Sequence, residues 1–144
     1  MQIRRIHHVG LVVRDLDRAA AFYREVLGLP EIAVPPTFAP AGLEVRWFDV
    51  GEGQQLHLIR GEEPAHATRR HVALQVDDAQ AARDAIRARG VEIRETIPIP
   101  GTDRFFVDDP EGNRIELIEW RADGYLTSMS LRGTTEGSDE AISP

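Results

Sequence analysis

Apolar residues recur at every second position from residue 9 to residue 13. In HVGLVV, Val9, Leu11 and Val13 share one face of an extended segment, while His8, Gly10 and Val12 share the other. That is the pattern of a half-buried strand. Asp15 follows, and then Leu16, Ala19, Ala20, Tyr23, Val26 and Leu27 recur at helical spacing until Gly28. The spacing predicts an N-capped amphipathic helix ended by glycine. The same order returns downstream. His8, Val9, Leu11, Val13 and Asp15 match His71, Val72, Leu74, Val76 and Asp78 at a constant offset of 63 residues, and a second alanine-rich helix pattern ends at Gly90. A short strand is expected after each helix, over 31–34 and 91–96, then a proline-containing loop (PPTFAPAG; IPIPGT). The halves match again in RWF (46–48) with RFF (104–106) and LHLI (56–59) with IELI (115–118). GEGQ predicts a hairpin turn at Glu52–Gly53, and DPEGN predicts one at Pro110–Glu111 with a bulge at Gly112.

The repeat predicts an α+β fold. Two tandem β-α-β-β-β modules, 1–60 and 70–120, are joined by a linker over 61–69, and form a curved mixed sheet around a cavity in one domain, 1–120. Residues 121–144 lose periodicity and are expected to be a partly disordered tail.

Composition narrows the chemistry more than the fold. The chain has 144 residues and no cysteine, which removes thiol nucleophiles and thiolate metal sites. It has no lysine, which removes Schiff bases; all 17 basic residues are arginine, against 24 acids, for a net charge of −7. Its serines all lie in the C-terminal segment, and GxGxxG is absent. General acid–base chemistry and metal chemistry through His and carboxylates remain. An acidic chain repels phosphate backbones, so nucleic acid is not an expected partner. No apolar run has spanning length, and MQIRRIHHVG lacks a signal-peptide core, so neither membrane nor export is expected and the cytoplasm is the default.

Strand alternation then proposes a site. His8 and His71 fall on the faces opposite the helix-facing positions of their strands. In LHLI, Leu56 and Leu58 go to the helix side and His57 to the cavity; in IELI, Ile115 and Leu117 go to the helix side and Glu116 to the cavity. A single histidine alternating out of an apolar strand is ordinarily exposed, or a satisfied core residue. Four repeat-related positions holding three His and one Glu point further, because such a cluster is costly to desolvate unless paired or metal-bound. Imidazole with carboxylate suits one divalent ion, Zn, Ni, Fe, Co or Mn. His7 is expected on the opposite face as a strand-edge residue, and His66 in an exposed linker. Asp15 and Asp78 read as helix caps, and Asp108–Asp109 as turn formers.

The paired modules, with HHVGLVVRDLDRAAAFYREVLGL near the start and FFVDDPEGNRIELIE near the end, resemble the vicinal oxygen chelate superfamily of glyoxalases, epimerases, extradiol dioxygenases and bleomycin-binding proteins. The resemblance spans 3–120. It implies that His8, His57, His71 and Glu116 hold a metal, and that Glu116 also moves a proton. The implied activity is a metal-dependent lyase or isomerase of the glyoxalase or epimerase type, acting on a small oxygen-rich substrate through an enolate-like intermediate. An extradiol-type ring-cleaving dioxygenase using His8, His71 and Glu116, and a non-catalytic antibiotic-binding protein, are the alternatives. A homodimer is the implied assembly. One departure is His57, where glyoxalases usually carry Glu.

Hairpin pairing extends the site. If Phe48 sits opposite His57 and Phe106 opposite Glu116, then Arg46 and Arg104 share their faces, and each half offers an Arg-x-Phe wall. Arg46, Phe48, Arg104 and Phe106 are thus expected to bind a substrate carrying an anionic group beside an apolar part. Trp47 and Phe105 are then expected in the core.

Overall fold

The computed structural model describes residues 2, 4–38, 40, 42–62, 70–97 and 99–121. The linker segment 63–69, with His66, and the tail beyond 121 lie outside them. The first module comprises β1 (His8–Val13), α1 (Leu16–Ala21) continued by a π-helical turn (Phe22–Val26), β2 (Glu31–Ile32), β3 (Val45–Gly51) and β4 (Gln54–Arg60). The second comprises β5 (Val72–Gln75), α2 (Ala79–Ala88), β6 (Arg94–Glu95), β7 (Thr102–Asp108) and β8 (Arg114–Trp120). Two four-stranded mixed sheets result, ordered β1-β4-β3-β2 and β5-β8-β7-β6. In each, the first strand runs parallel to the last and the other pairs are antiparallel. The strand after each helix is shorter than its sequence pattern suggests, two residues in both modules.

Both helices begin as their sequences predict. The Asp15 carboxylate accepts from Arg18 N at 3.0 Å, and Asp78 from Ala81 N at 2.8 Å, satisfying amide donors that have no partner within the helix. The π turn changes which side chains reach the core. Leu27 N donates to Phe22 O, and the wider turn buries Phe22 beside Tyr23. Phe22 thereby joins the face that the sequence pattern assigns to Leu16, Ala19, Ala20, Tyr23, Val26 and Leu27. Gly28 (φ +68) and Gly90 (φ +75) end the helical segments in the left-handed region that suits glycine.

The first hairpin departs from expectation by one residue. It turns at Glu52–Gly53, as predicted, with both residues at positive φ. However, Gly51 pairs with Gln54 while Asp49, not Val50, pairs with Gln55. The bulge at Val50 shifts everything before it by one position, and a one-residue shift exchanges the faces of a strand. Trp47 therefore stands opposite His57, and Phe48 stands opposite Leu56 in the core with no exposed surface. Arg46 goes to the helix side, where it bonds Asp17 at 2.7 Å and Glu31. The expectation that Arg46 and Phe48 line the cavity is corrected by this register, and so is the placing of Trp47 in the core. The second hairpin has no such shift: Phe106 pairs with Glu116, Arg104 with Ile118, and Phe105 is fully buried.

The DPEGN turn also joins the modules. Asp109 is buried, and its carboxylate accepts four hydrogen bonds: Tyr23 Oη at 2.7 Å, Glu111 N at 2.9 Å, Asn113 N at 2.8 Å and Asn113 Nδ2 at 2.9 Å. Glu111 accepts from Arg14 N and Asp15 N, both at 3.1 Å, and Asn113 Nδ2 reaches Val12 O at 3.3 Å. These four donors replace the hydration that burial removes. The turn of one module thus locks onto the end of β1 and the helix of the other.

Candidate metal centre

The sheet order places a ligand-type residue on two adjacent strands of each module. In the first, His8 on β1 and His57 on β4 stack with ring centroids 4.3 Å apart, and Trp47 stacks on the other side of His57 at 4.1 Å. Gly10, opposite His57, keeps that face open; a methyl there would meet Ile59 Cδ1 at 3.2 Å. Gln55 Oε1 lies 2.8 Å from His57 Nε2. Burial, and then the neighbouring His8 and His7 rings, hold the His57 imidazole below its ordinary pKa. The ring is thereby kept neutral, with a lone pair available to a metal.

In the second module, His71 precedes β5 and its Nε2 lies 3.0 Å from Glu116 Oε2 on β8. The other carboxylate oxygen accepts from Arg104 Nη1 at 2.9 Å, and Arg104 also donates to Ile97 O through Nε at 3.2 Å and Nη2 at 2.8 Å. Glu116 is 5% exposed, and these two partners satisfy its buried oxygens. Phe106 packs its ring edge-on against His71 at 5.4 Å. Arg104 and Phe106 do lie on the cavity face, as expected, yet Arg104 is occupied in holding Glu116.

The four candidate ligands therefore lie in two pairs within the chain. Among the described residues no group of three His, Asp or Glu side chains converges. A cleft of about 320 Å³ has His7, His8 and Gln55 on one side and His71 on the other. His7 does not point away from its neighbour: its Nδ1 lies 3.0 Å from His8 Nδ1. That contact occupies the inner nitrogen of His8 and directs Nε2 outward, a common orientation for a metal-ligating histidine. Three imidazoles and a carboxylate form a donor set that fits a borderline divalent ion.

Comparison with known proteins agrees with the repeat. The model of the Glyoxalase/Bleomycin resistance protein/Dioxygenase superfamily matches residues 5–117, and the chain belongs to that superfamily. It is 34% identical over 123 residues to a lactoylglutathione lyase of Haemophilus influenzae, covering 79% of this chain and 91% of the relative. A lactoylglutathione lyase of Salmonella typhimurium is 35% identical over 128 residues, covering 80% and 92%. Among solved structures, a glyoxalase family protein from Bacillus anthracis superposes with a TM-score of 0.75 at 30% identity, covering 84% of this chain and 98% of that one. A fosfomycin resistance protein from Listeria monocytogenes, complexed with Mn(II) and 1S,2S-dihydroxypropylphosphonic acid, shares the fold at a TM-score of 0.70 and 20% identity, covering 89% and 99%. The chain thus resembles enzymes of the glyoxalase type in sequence and in fold.

Proposed function

We propose that the protein is a metal-dependent enzyme of the glyoxalase or epimerase type, acting on a small oxygen-rich substrate. One observation carries this reading. The repeat puts His8 with His57, and His71 with Glu116, at equivalent places on the first and last strands of the two modules. Each pair offers half of a four-ligand shell. The joint built around Asp109 holds the modules of one chain together, and among the described residues no three ligands converge within it. The complete shell is accordingly assigned to a homodimer, in which each chain lends one pair to each of two sites.

A divalent metal held by His8, His57, His71 and Glu116 would supply a Lewis acid for a substrate oxygen. The side chains do the rest. Glu116 is the proton carrier: its carboxylate would take the proton from the carbon beside a substrate carbonyl and, as the acid so formed, return it to the same carbon in an epimerisation, or to the carbonyl carbon in an isomerisation in which the hydroxyl proton passes to the other oxygen. Arg104 aims the Glu116 carboxylate by holding one oxygen, and His71 sits against the other. Trp47 stacks on His57 and Phe106 packs edge-on against His71, giving each ligand pair an aromatic flank. The test is metal content. Protein purified without added metal should hold a divalent ion stoichiometrically, and His71→Ala and Glu116→Gln should each lose it. Full occupancy in both variants refutes the assignment.

A further inference from the structure

The two cavity faces have opposite chemical character. On the first module Gln55 and Asp49 flank His8, but beyond His57 the pairings Val12–Ile59, Val45–Ile59 and Ile32–Trp47 make the face aliphatic and aromatic. On the second module, register and alternation place Arg94, Arg104 and Arg114 on the face of Glu116, with Asp108 as its other carboxylate. Three guanidinium groups therefore meet two carboxylates. Arg104 is taken by Glu116, and Arg94 pairs with Asp108. Arg114 is left over. Its guanidinium lies 5.5 Å from the centroid of the Phe106 ring, and among the described residues no carboxylate pairs with it. It precedes Glu116 by two residues on β8, so both side chains emerge on the same face. A half-buried guanidinium without a counter-ion, stacked on a ring beside a ligand pair, is poised to receive an anion.

We infer that Arg114 is the residue that recognises the substrate's charge, and that the substrate joins a carboxylate to an apolar aliphatic or aromatic body. The carboxylate sits in the fork of Arg114, and the apolar body lies against the Trp47 side of the assembled site. This rests on the reading above only in bringing the two faces together; the preference of Arg114 for an anion does not depend on a metal. Neither Arg46, bound to Asp17 and Glu31, nor Arg104, bound to Glu116, is available for this role.

The test uses matched pairs of small ligands that differ only in charge: benzoate and benzamide, phenylacetate and phenylacetamide, mandelate and mandelamide, hexanoate and hexanamide. Each is titrated calorimetrically into the full chain, metal-free and loaded with Zn(II). The parent should bind carboxylates in preference to their amides. Arg114→Met should weaken carboxylate binding roughly tenfold or more, as expected for loss of a charged hydrogen bond, and leave the amides unchanged. Arg114→Lys should keep part of the preference. If Arg114→Met binds carboxylates like the parent, or if no carboxylate in the series is preferred over its amide, the inference is overturned. Zinc content is measured in parallel. A parent that takes no zinc yet discriminates through Arg114 sinks the metal reading and leaves this inference standing.

Discussion

Tyr23 joins the two modules through a single hydrogen bond, and its titration makes that bond measurable. Burial, reinforced by the Asp109 carboxylate beside it, holds the phenol well above its ordinary value of 10.0. Above about pH 10 the unfolded chain releases a proton that the folded chain retains, so stability should fall as pH rises through that range. With no lysine and no cysteine in the chain, few other side chains titrate there. Tyr23→Phe should cost about 1.5–3 kcal/mol at neutral pH, the range for a hydrogen bond to a charged acceptor. It should also flatten the alkaline decline. Denaturant midpoints at about pH 8 and about pH 11 decide the matter, and parallel losses in parent and variant would assign the decline elsewhere. Trp47 offers a second residue-scale test. It stacks on His57, whereas the other tryptophan, Trp120, ends β8. Co(II) binding should quench the intrinsic fluorescence strongly, and Trp47→Phe should remove most of that response.

At the scale of elements, one side chain ties α2 to its sheet. Arg83 is buried, with its guanidinium over the Phe105 ring at 4.8 Å, and it bonds Glu95 of β6 at 2.9 Å and Asp103 of β7 at 2.6 Å. The Arg83 hydrogen bond holds the Asp103 carboxyl below its ordinary range. That contribution is present above the ordinary carboxylate value and is lost as pH falls through the lower folded value. Arg83→Met should therefore destabilise the protein by about 1–3 kcal/mol at neutral pH. The penalty should shrink on acidification, because the parent loses the same interaction there. Thermal melting at neutral and acidic pH measures both effects. A penalty that does not change with pH would show Arg83 acting through packing alone.

At the scale of the molecule, the separation of the ligand pairs predicts complementation between defective chains. A chain carrying His8→Ala and His57→Ala lacks the first pair, and one carrying His71→Ala and Glu116→Gln lacks the second. Neither should hold metal alone. In a mixed dimer sharing sites across the chains, one site regains all four ligands and the other has none. Refolding the two together should restore metal to a fraction of the parent level. If mixing restores nothing, while each variant is folded and dimeric, the site lies within one chain.

The repeated strand, cap, helix and glycine pattern determined the two modules by itself, because alternation, capping and helix stops are local properties of the chain. It also placed Glu116 opposite Phe106, since DPEGN specifies its own turn and bulge. The first hairpin resisted the same treatment. Nothing in GEGQ announces a bulge at Val50, and that one residue exchanges Trp47 for Phe48 at the cavity face. Arg114 escaped for a different reason: a cation becomes available to a ligand only when its neighbours are committed elsewhere, and those commitments are long-range. Arg104 is held by Glu116 and Ile97, Arg94 by Asp108, and Arg46 by the helix side. The tertiary structure likewise decided that DPEGN joins the modules, because Asp109 meets Tyr23 across 86 positions of sequence. Periodicity reports which face of an element is apolar; only the folded chain decides what each face meets.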